Sequence, residues 1–178
     1  MTTVLLISGS TRAASTNSAA LRTVGILAPP GIEVEHYDGL VDLPAFIPGE
    51  DNLPAAVIAL RERLSWADAV LLCTPEYAGT LPGSLKNLLD WTVGTGDLYG
   101  KPAAWITVAA PGRGEGAIAT LSMVLGYVGA EVDRENCPRL PVPRDGIGDD
   151  GLVTSTEFRT GALAALNKLV RQSVRVVG

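Results

Sequence analysis

Short, almost purely apolar runs alternate with longer stretches of helical periodicity along the 178-residue chain, and that alternation confines it to repeated strand–helix–strand units around a parallel sheet. Residues 4–7 are continuously apolar, as a strand covered on both faces requires. The loop Ser8-Gly9-Ser10-Thr11-Arg12 follows, then a helix from about Ser15 to Leu27 that stops at Pro29-Pro30-Gly31. A second strand over 32–37 leads through a Pro- and Gly-rich loop, ending near Asn52, to a helix with Val57, Leu60 and Leu64 on one face. The third strand is expected over 68–73, with the loop Thr74-Pro75-Glu76-Tyr77-Ala78-Gly79 behind it. A helix beginning near Pro82 carries Leu85, Leu88, Leu89 and Trp91 on its apolar stripe.

The fourth strand is expected over 102–109, then a glycine-rich loop over 110–116 and a helix through Gly129. The Pro- and Gly-rich stretch that follows holds a short fifth strand over 130–133. Thr154 and Glu157 have capping-box spacing ahead of a last helix, in which Phe158, Ala162, Ala165 or Leu166, and Leu169 recur at helical intervals. No repeat and no linker divides the sequence, so residues 1–178 read as a single domain.

Composition excludes several classes of function. The net charge is −5 and the 14 basic residues are scattered, which argues against a nucleic-acid partner, since phosphate backbones are gripped by concentrated Lys and Arg. No apolar stretch is long enough to cross a bilayer, so no membrane partner is expected, and no signal-length run follows Met1-Thr2-Thr3. Cys73 and Cys137 lie far apart without metal or disulfide spacing, and a cytoplasmic location is the simplest expectation. The single histidine, His36, sits in an apparent strand and reads as structural. No metal site and no catalytic side chain are therefore expected.

In open parallel sheets, ligands bind at the carboxyl ends of the strands where the strand order reverses. For the order 2-1-3-4-5, that point lies between the first and third strands, which are followed by the two least ordinary loops. The first loop suits an anion. Ser10, Thr11, Ser15, Thr16 and Asn17 offer side-chain hydrogen bonds, Gly9 admits a close approach, and the next helix aims its N–H groups and positive dipole end at the same spot. Arg12 adds a guanidinium that can hold a phosphate bidentately. Lacking a Gly-Lys-Ser/Thr and a G-x-G-x-x-G, the loop favours a terminal monophosphate. Ser15 and Asn17 equally suit plain helix capping; Arg12 and the switch-point location tilt the reading toward phosphate.

In the second loop, Pro75, Gly79, Pro82 and Gly83 fix a turn that presents N–H groups to a flat heterocycle, with Tyr77 as an apolar face against it or packed on the domain. A flavin ring uses both, because reduction puts negative charge on one edge. The loop of Pro111, Gly112, Arg113 and Gly114 either completes the wall around such a ring or is only a flexible connection.

Gly9-Ser10-Thr11-Arg12-x-x-Ser15-x-Asn17, together with Thr74-Pro75-Glu76-Tyr77 and the helix from Leu81-Pro82-Gly83 to Asp90-Trp91, resembles the NADPH-dependent FMN reductase family, which includes chromate- and quinone-reducing flavoproteins and azoreductases. The resemblance runs from the first strand to about Gly129. It implies an α/β, flavodoxin-like, doubly wound five-stranded parallel sheet of order 2-1-3-4-5 with helices on both faces. It further implies that Ser10, Arg12, Ser15, Thr16 and Asn17 hold the phosphate of FMN, that Pro75, Glu76, Tyr77, Ala78 and Gly79 surround its ring, and that Pro111, Gly112, Arg113 and Gly114 lie on the other side.

NADPH or NADH would then be the co-substrate, a small molecule such as a quinone, flavin, azo compound or chromate the acceptor, and the assembly a homodimer or homotetramer. Arg113 is placed to meet the co-substrate's phosphate, and Glu76 to orient its loop or an interface. The chain departs from the family where members often carry Asn, at Ala78, and in Ala110-Pro111-Gly112-Arg113, which replaces a small hydroxyl-containing pattern. Two other readings stay open, a non-enzymatic FMN electron carrier and a cofactor-free regulatory relative. Arg12 and the long helix match count against the carrier, while Ala78 is what allows the cofactor-free form.

Overall fold

The computed structural model describes residues 1–12 and 14–176, with side chains through 174. Its five strands, β1 (Thr2–Ser8), β2 (Ile32–Tyr37), β3 (Ala69–Cys73), β4 (Pro102–Trp105) and β5 (Glu131–Val132), form one sheet of order β2-β1-β3-β4-β5. All pairings are parallel, so the expected order and direction hold. The crossovers are helices α1 (Thr16–Leu27), α2 (Ala55–Trp66), α3 (Gly83–Trp91) and α4 (Glu115–Tyr127), and α5 (Thr156–Val176) closes the chain.

Strand alternation sorts the core into two layers, because successive side chains point to opposite faces. Leu5, Ile7, Val70, Leu72, Ala103 and Trp105 pack with the apolar sides of α2, α3 and α4. Val4, Leu6, Ala69, Leu71, Cys73, Ala104 and Ile106 pack with α1 and α5, the latter through Phe158, Ala162, Leu166 and Leu169. The helix motif ending in Trp91 is anchored from outside the sheet. Trp91 Nε1 and Asn87 Nδ2 both donate to Pro44 O at 2.9 Å, and the Phe46 ring meets Trp91 edge-on at 5.0 Å.

Two local expectations are corrected. The fourth strand ends at Trp105 rather than near Ala109, because the backbone beyond it changes partners. Ile106 N still donates to Leu72 O, but Thr107 N donates to Pro138 O, and Leu140 N and Val142 N donate to Thr107 O and Val108 O. Residues 138–142 therefore run beside the end of β4. The last helix is capped one residue later than expected, by a single bond rather than a capping box. Ser155 Oγ accepts from Phe158 N at 3.2 Å, whereas both the N–H and the hydroxyl of Thr154 donate to Gly146 O. Two short 3-10 turns, Gly39–Val41 and Arg134–Asn136, add to the expected elements.

β2 ends in Tyr37, whose hydroxyl is buried without a hydrogen-bond partner among the described residues. Burial first, then the carboxylates of Asp42 and Asp38, push its phenol up to about 12. The unfolded phenol ionises near pH 10, so the folded state holds the proton longer and this stabilisation is lost as pH rises from 10 through about 12. For a half-buried ring the loss amounts to about 1 kcal/mol. Thermal melts across that alkaline range should show the wild type losing more stability than Tyr37→Phe; equal losses would contradict this account.

Candidate functional site

A cavity of about 800 Å³ opens at the carboxyl ends of β1, β3 and β4. Its walls are the first turn of α1 (Thr16, Asn17), the loop after β3 (Thr74, Pro75, Glu76), the segment after β4 (Thr107 to Ala110, with Arg113 and Gly114), and Val142, Pro143 and Arg144. Gly9 lets the first two walls close on each other, since a Cβ there would lie 2.2 Å from Thr74 Oγ1. Ser15, almost fully buried, caps α1 by accepting from Asn17 N at 3.2 Å, so its hydroxyl already has a structural partner. Asn17 is held from behind: the Cys73 thiol donates to its Oδ1 at 3.2 Å, while its Nδ2 has no partner among the described residues. No acid occupies the first turn of α1, so the positive end of its dipole is uncompensated.

The loop after β3 ends in a hairpin. Tyr77 and Thr80 exchange backbone hydrogen bonds at 3.0 and 3.1 Å around Ala78 (φ 50°) and Gly79 (φ 76°). Two consecutive positive φ values are the signature of a type I′ turn, whose preferred first residue is Asn. Alanine pays about 1 kcal/mol in the left-handed region, which asparagine tolerates better. Ala78→Asn is therefore expected to stabilise the protein by roughly 0.5–1 kcal/mol, read as a raised denaturant midpoint; an unchanged or lowered midpoint would contradict the turn assignment. Below the hairpin, Glu76 Oε2 accepts from Ala117 N at 3.1 Å, laying a carboxylate on the N-terminus of α4. Glu76 thus orients its loop.

The loop after β4 is a fixed turn rather than a slack connection. Gly112 and Gly114 have φ of 78° and 81°, and Arg113 N donates to Ala110 O. Arg139 reaches into this turn from the segment beside β4. Its Nη1 donates to Ala109 O, Ala110 O and Arg113 O at 3.0, 3.1 and 2.9 Å, and its Nη2 to Glu115 Oε1 at 2.6 Å. Both cysteines are protonated at neutral pH. Burial raises the Cys73 thiol far above its usual range and pushes Cys137 up to about 11. Among the described residues, no group of three or more His, Cys, Asp or Glu is arranged for a metal ion.

Of the residues singled out in the sequence, Thr16, Asn17, Pro75, Glu76, Arg113 and Gly114 meet at this cavity. Ser10 and Arg12 line a neighbouring one of about 410 Å³. Tyr77, Ala78 and Gly79 build the hairpin, where Tyr77 is half exposed, and Pro111 and Gly112 lie on the exposed turn. Sequence reasoning missed Thr107 to Ala110, Arg139 and Val142 to Arg144. The only sign of the latter group was the alternation of Leu140 and Val142 with prolines, which suits an extended edge segment.

The family model for NADPH-dependent FMN reductase matches residues 2–136. A quinone reductase of Escherichia coli (strain K12) is 38% identical over 104 residues, covering 56% of this chain and 55% of that protein. An NAD(P)H-dependent FMN reductase of Pseudomonas aeruginosa is 43% identical over 116 residues, covering 62% and 60%. The chain thus spans between half and two thirds of the curated relatives it matches. Among solved structures, the flavoenzyme NAD(P)H:(acceptor) oxidoreductase FerB from Paracoccus denitrificans superposes with a TM-score of 0.81 at 28% identity, covering 98% of both chains.

Proposed function

The chain belongs to the NADPH-dependent FMN reductase family, and from that premise we propose that it is a flavodoxin-like oxidoreductase that binds FMN and passes electrons from NADPH or NADH to a small-molecule acceptor such as a quinone. One observation carries the reading: the first turn of α1 and the loops after β3 and β4 converge on a single cavity whose size suits a cofactor. Its chemistry fits an anionic flavin. Among the described residues, Glu76 is the one acid on its walls and is turned toward α4, while Arg113, Arg144, the Asn17 amide and the helix dipole supply donors and positive potential. Bound there, FMN supplies hydride acceptance and electron release.

The remaining roles belong to the chain. Thr16 and Asn17, with Ser10 and Arg12 from the preceding loop, hold the phosphate, and Ser15 keeps that turn in shape. Pro75 and Glu76 set the edge of the ring site, the hairpin of Tyr77, Ala78 and Gly79 covers it, and the turn of Pro111, Gly112, Arg113 and Gly114 faces it. Arg113 stands at the mouth for the co-substrate's phosphate. With both cysteines free, a reducing cytoplasm suits the protein, and no described helix is long and apolar enough to cross a membrane. Residues 1–178 act as one domain, and exposed Tyr99, Met123 and Tyr127 provide an apolar surface for a homo-oligomer.

Anaerobic addition of NADPH to FMN-loaded protein tests the reading. Rapid bleaching of the flavin band, reversed by a quinone, is expected. A bound band that NADPH leaves unchanged would overturn the reductase assignment.

A further inference from the structure

Cys73, the last residue of β3, does not line the flavin cavity; it is fully buried in the core layer that α1 and α5 cover. Its backbone is fixed beside the loop that leads to α1, since it pairs with Ser8 of β1 and its carbonyl accepts from Gly9 N at 2.9 Å. From there its thiol donates to Asn17 Oδ1 at 3.2 Å, and among the described residues this is the one hydrogen bond that the Asn17 side chain makes. The backbone of Asn17 is held separately, by Ser15 Oγ. Asn17 is only 7% exposed, yet it lines the cavity, and its Nδ2 has no partner among the described residues. A buried amide is thus tied at its oxygen and open at its nitrogen.

The two ends of an amide have nearly the same shape and opposite chemistry: the amino end donates two hydrogen bonds and the oxygen only accepts. An anion is held by the first and repelled by the second, so whatever fixes the amide's orientation fixes what the site can bind. A donor on Oδ1 does this, and the thiol is a donor only while protonated, because a thiolate would draw the amino end instead. Burial keeps the proton on the sulfur, against the smaller opposing pull of the Val108 backbone N–H. Cysteine also suits the place, since it packs as a small hydrophobe and still carries a weak donor. We propose that Cys73 is a positioning residue for the flavin phosphate: its S–H holds the Asn17 amide with Nδ2 toward the cavity, and so helps the site to prefer FMN over unphosphorylated flavin. The proposal rests on the phosphate of FMN binding at the first turn of α1.

Fluorescence titrations of the flavin-free full chain with FMN and with riboflavin, in wild type and variants, test the role. Cys73→Val stays small and apolar at a strand position that suits a β-branched residue, and removes the donor. It should bind FMN about fivefold to tenfold more weakly and riboflavin as the wild type does. Cys73→Ser restores a donor and should recover most of the FMN affinity. In an Asn17→Ala background, Cys73→Val should change neither affinity, as required of a residue that acts through Asn17. An unchanged FMN preference in Cys73→Val, an equal loss for both ligands, a serine variant no better than the valine one, or a full effect of Cys73→Val without the Asn17 amide would each overturn the proposal. A wild type that binds FMN and riboflavin equally would overturn the phosphate reading along with it. A wild type that prefers FMN beside a Cys73→Val variant with the same preference removes the role of Cys73 alone.

Discussion

Replacing Arg139 by methionine is expected to raise the Kd for FMN about tenfold or more and to lower stability by about 2–3 kcal/mol. Methionine keeps an unbranched apolar stem but removes every donor that Arg139 gives the turn after β4, leaving the bond from Arg113 N to Ala110 O. Three carbonyls, those of Ala109, Ala110 and Arg113, then lose their common partner, and Glu115 loses its ion pair. A hydrogen bond from a charged donor contributes about 1.5–3 kcal/mol, but these groups are partly exposed and water replaces some of that. The turn then samples open conformations, and FMN must reorder it on binding. Arg139→Lys should recover only part of the loss, because an ammonium lacks the planar fork. Glu115→Gln should cost less than about 1 kcal/mol, since Glu115 is mostly exposed. An unchanged FMN affinity in Arg139→Met would show that the turn keeps its shape without the clamp.

Gly116→Ala should be as damaging to the protein itself. Gly116 lies in the first turn of α4, where alanine is the better helix former by up to about 1 kcal/mol, so an isolated helix would gain. In place, an added Cβ would lie 1.9 Å from Gly79 O, 2.8 Å from Gly79 C and 3.1 Å from Glu76 Oε2. The first two are backbone atoms, which cannot swing aside as a side chain can. The hairpin and α4 must separate, stretching the bond from Ala117 N to Glu76 and opening that wall of the cavity. The expected loss is about 2–3 kcal/mol, with FMN affinity falling alongside. Gly83→Ala makes the contrast: it also opens a helix, a Cβ there meets nothing within 4 Å, and it should be neutral or mildly stabilising. Equal denaturant midpoints for the two alanine variants would contradict the close approach.

Sheet and helices were legible because they rest on local pattern. A strand covered on both faces reads as an apolar run, and β1 and β3 are such runs, whereas the strand order, and with it the switch point between them, came from the family resemblance. The loops after β1 and β3 were legible for the same reason: their unusual residues are contiguous. What escaped depends on partners remote in sequence. Arg139 bonds to groups 24–30 residues away, and no local periodicity encodes such contacts. The end of β4 was misjudged because residues 106–108 stay buried while the segment 138–142 takes the place of β5 beside them. Ser15 was readable as either a cap or a phosphate ligand, and only its burial and its bond to Asn17 N show that capping occupies it. Ala78 was visible as a departure from the family. Its physical meaning, an alanine where the turn demands a positive φ, needed the backbone.

The central claim is that the cavity between α1 and the loops after β3 and β4 holds FMN by its phosphate as well as its ring. Parallel titrations of flavin-free protein with FMN and with riboflavin, followed by flavin fluorescence, test it most directly, because the two ligands share the ring and differ at the phosphate. One FMN per chain and a riboflavin affinity weaker by about 100-fold are expected, the difference that two charge-assisted contacts supply. Equal affinity for the two, or no saturable binding of FMN, would contradict the account.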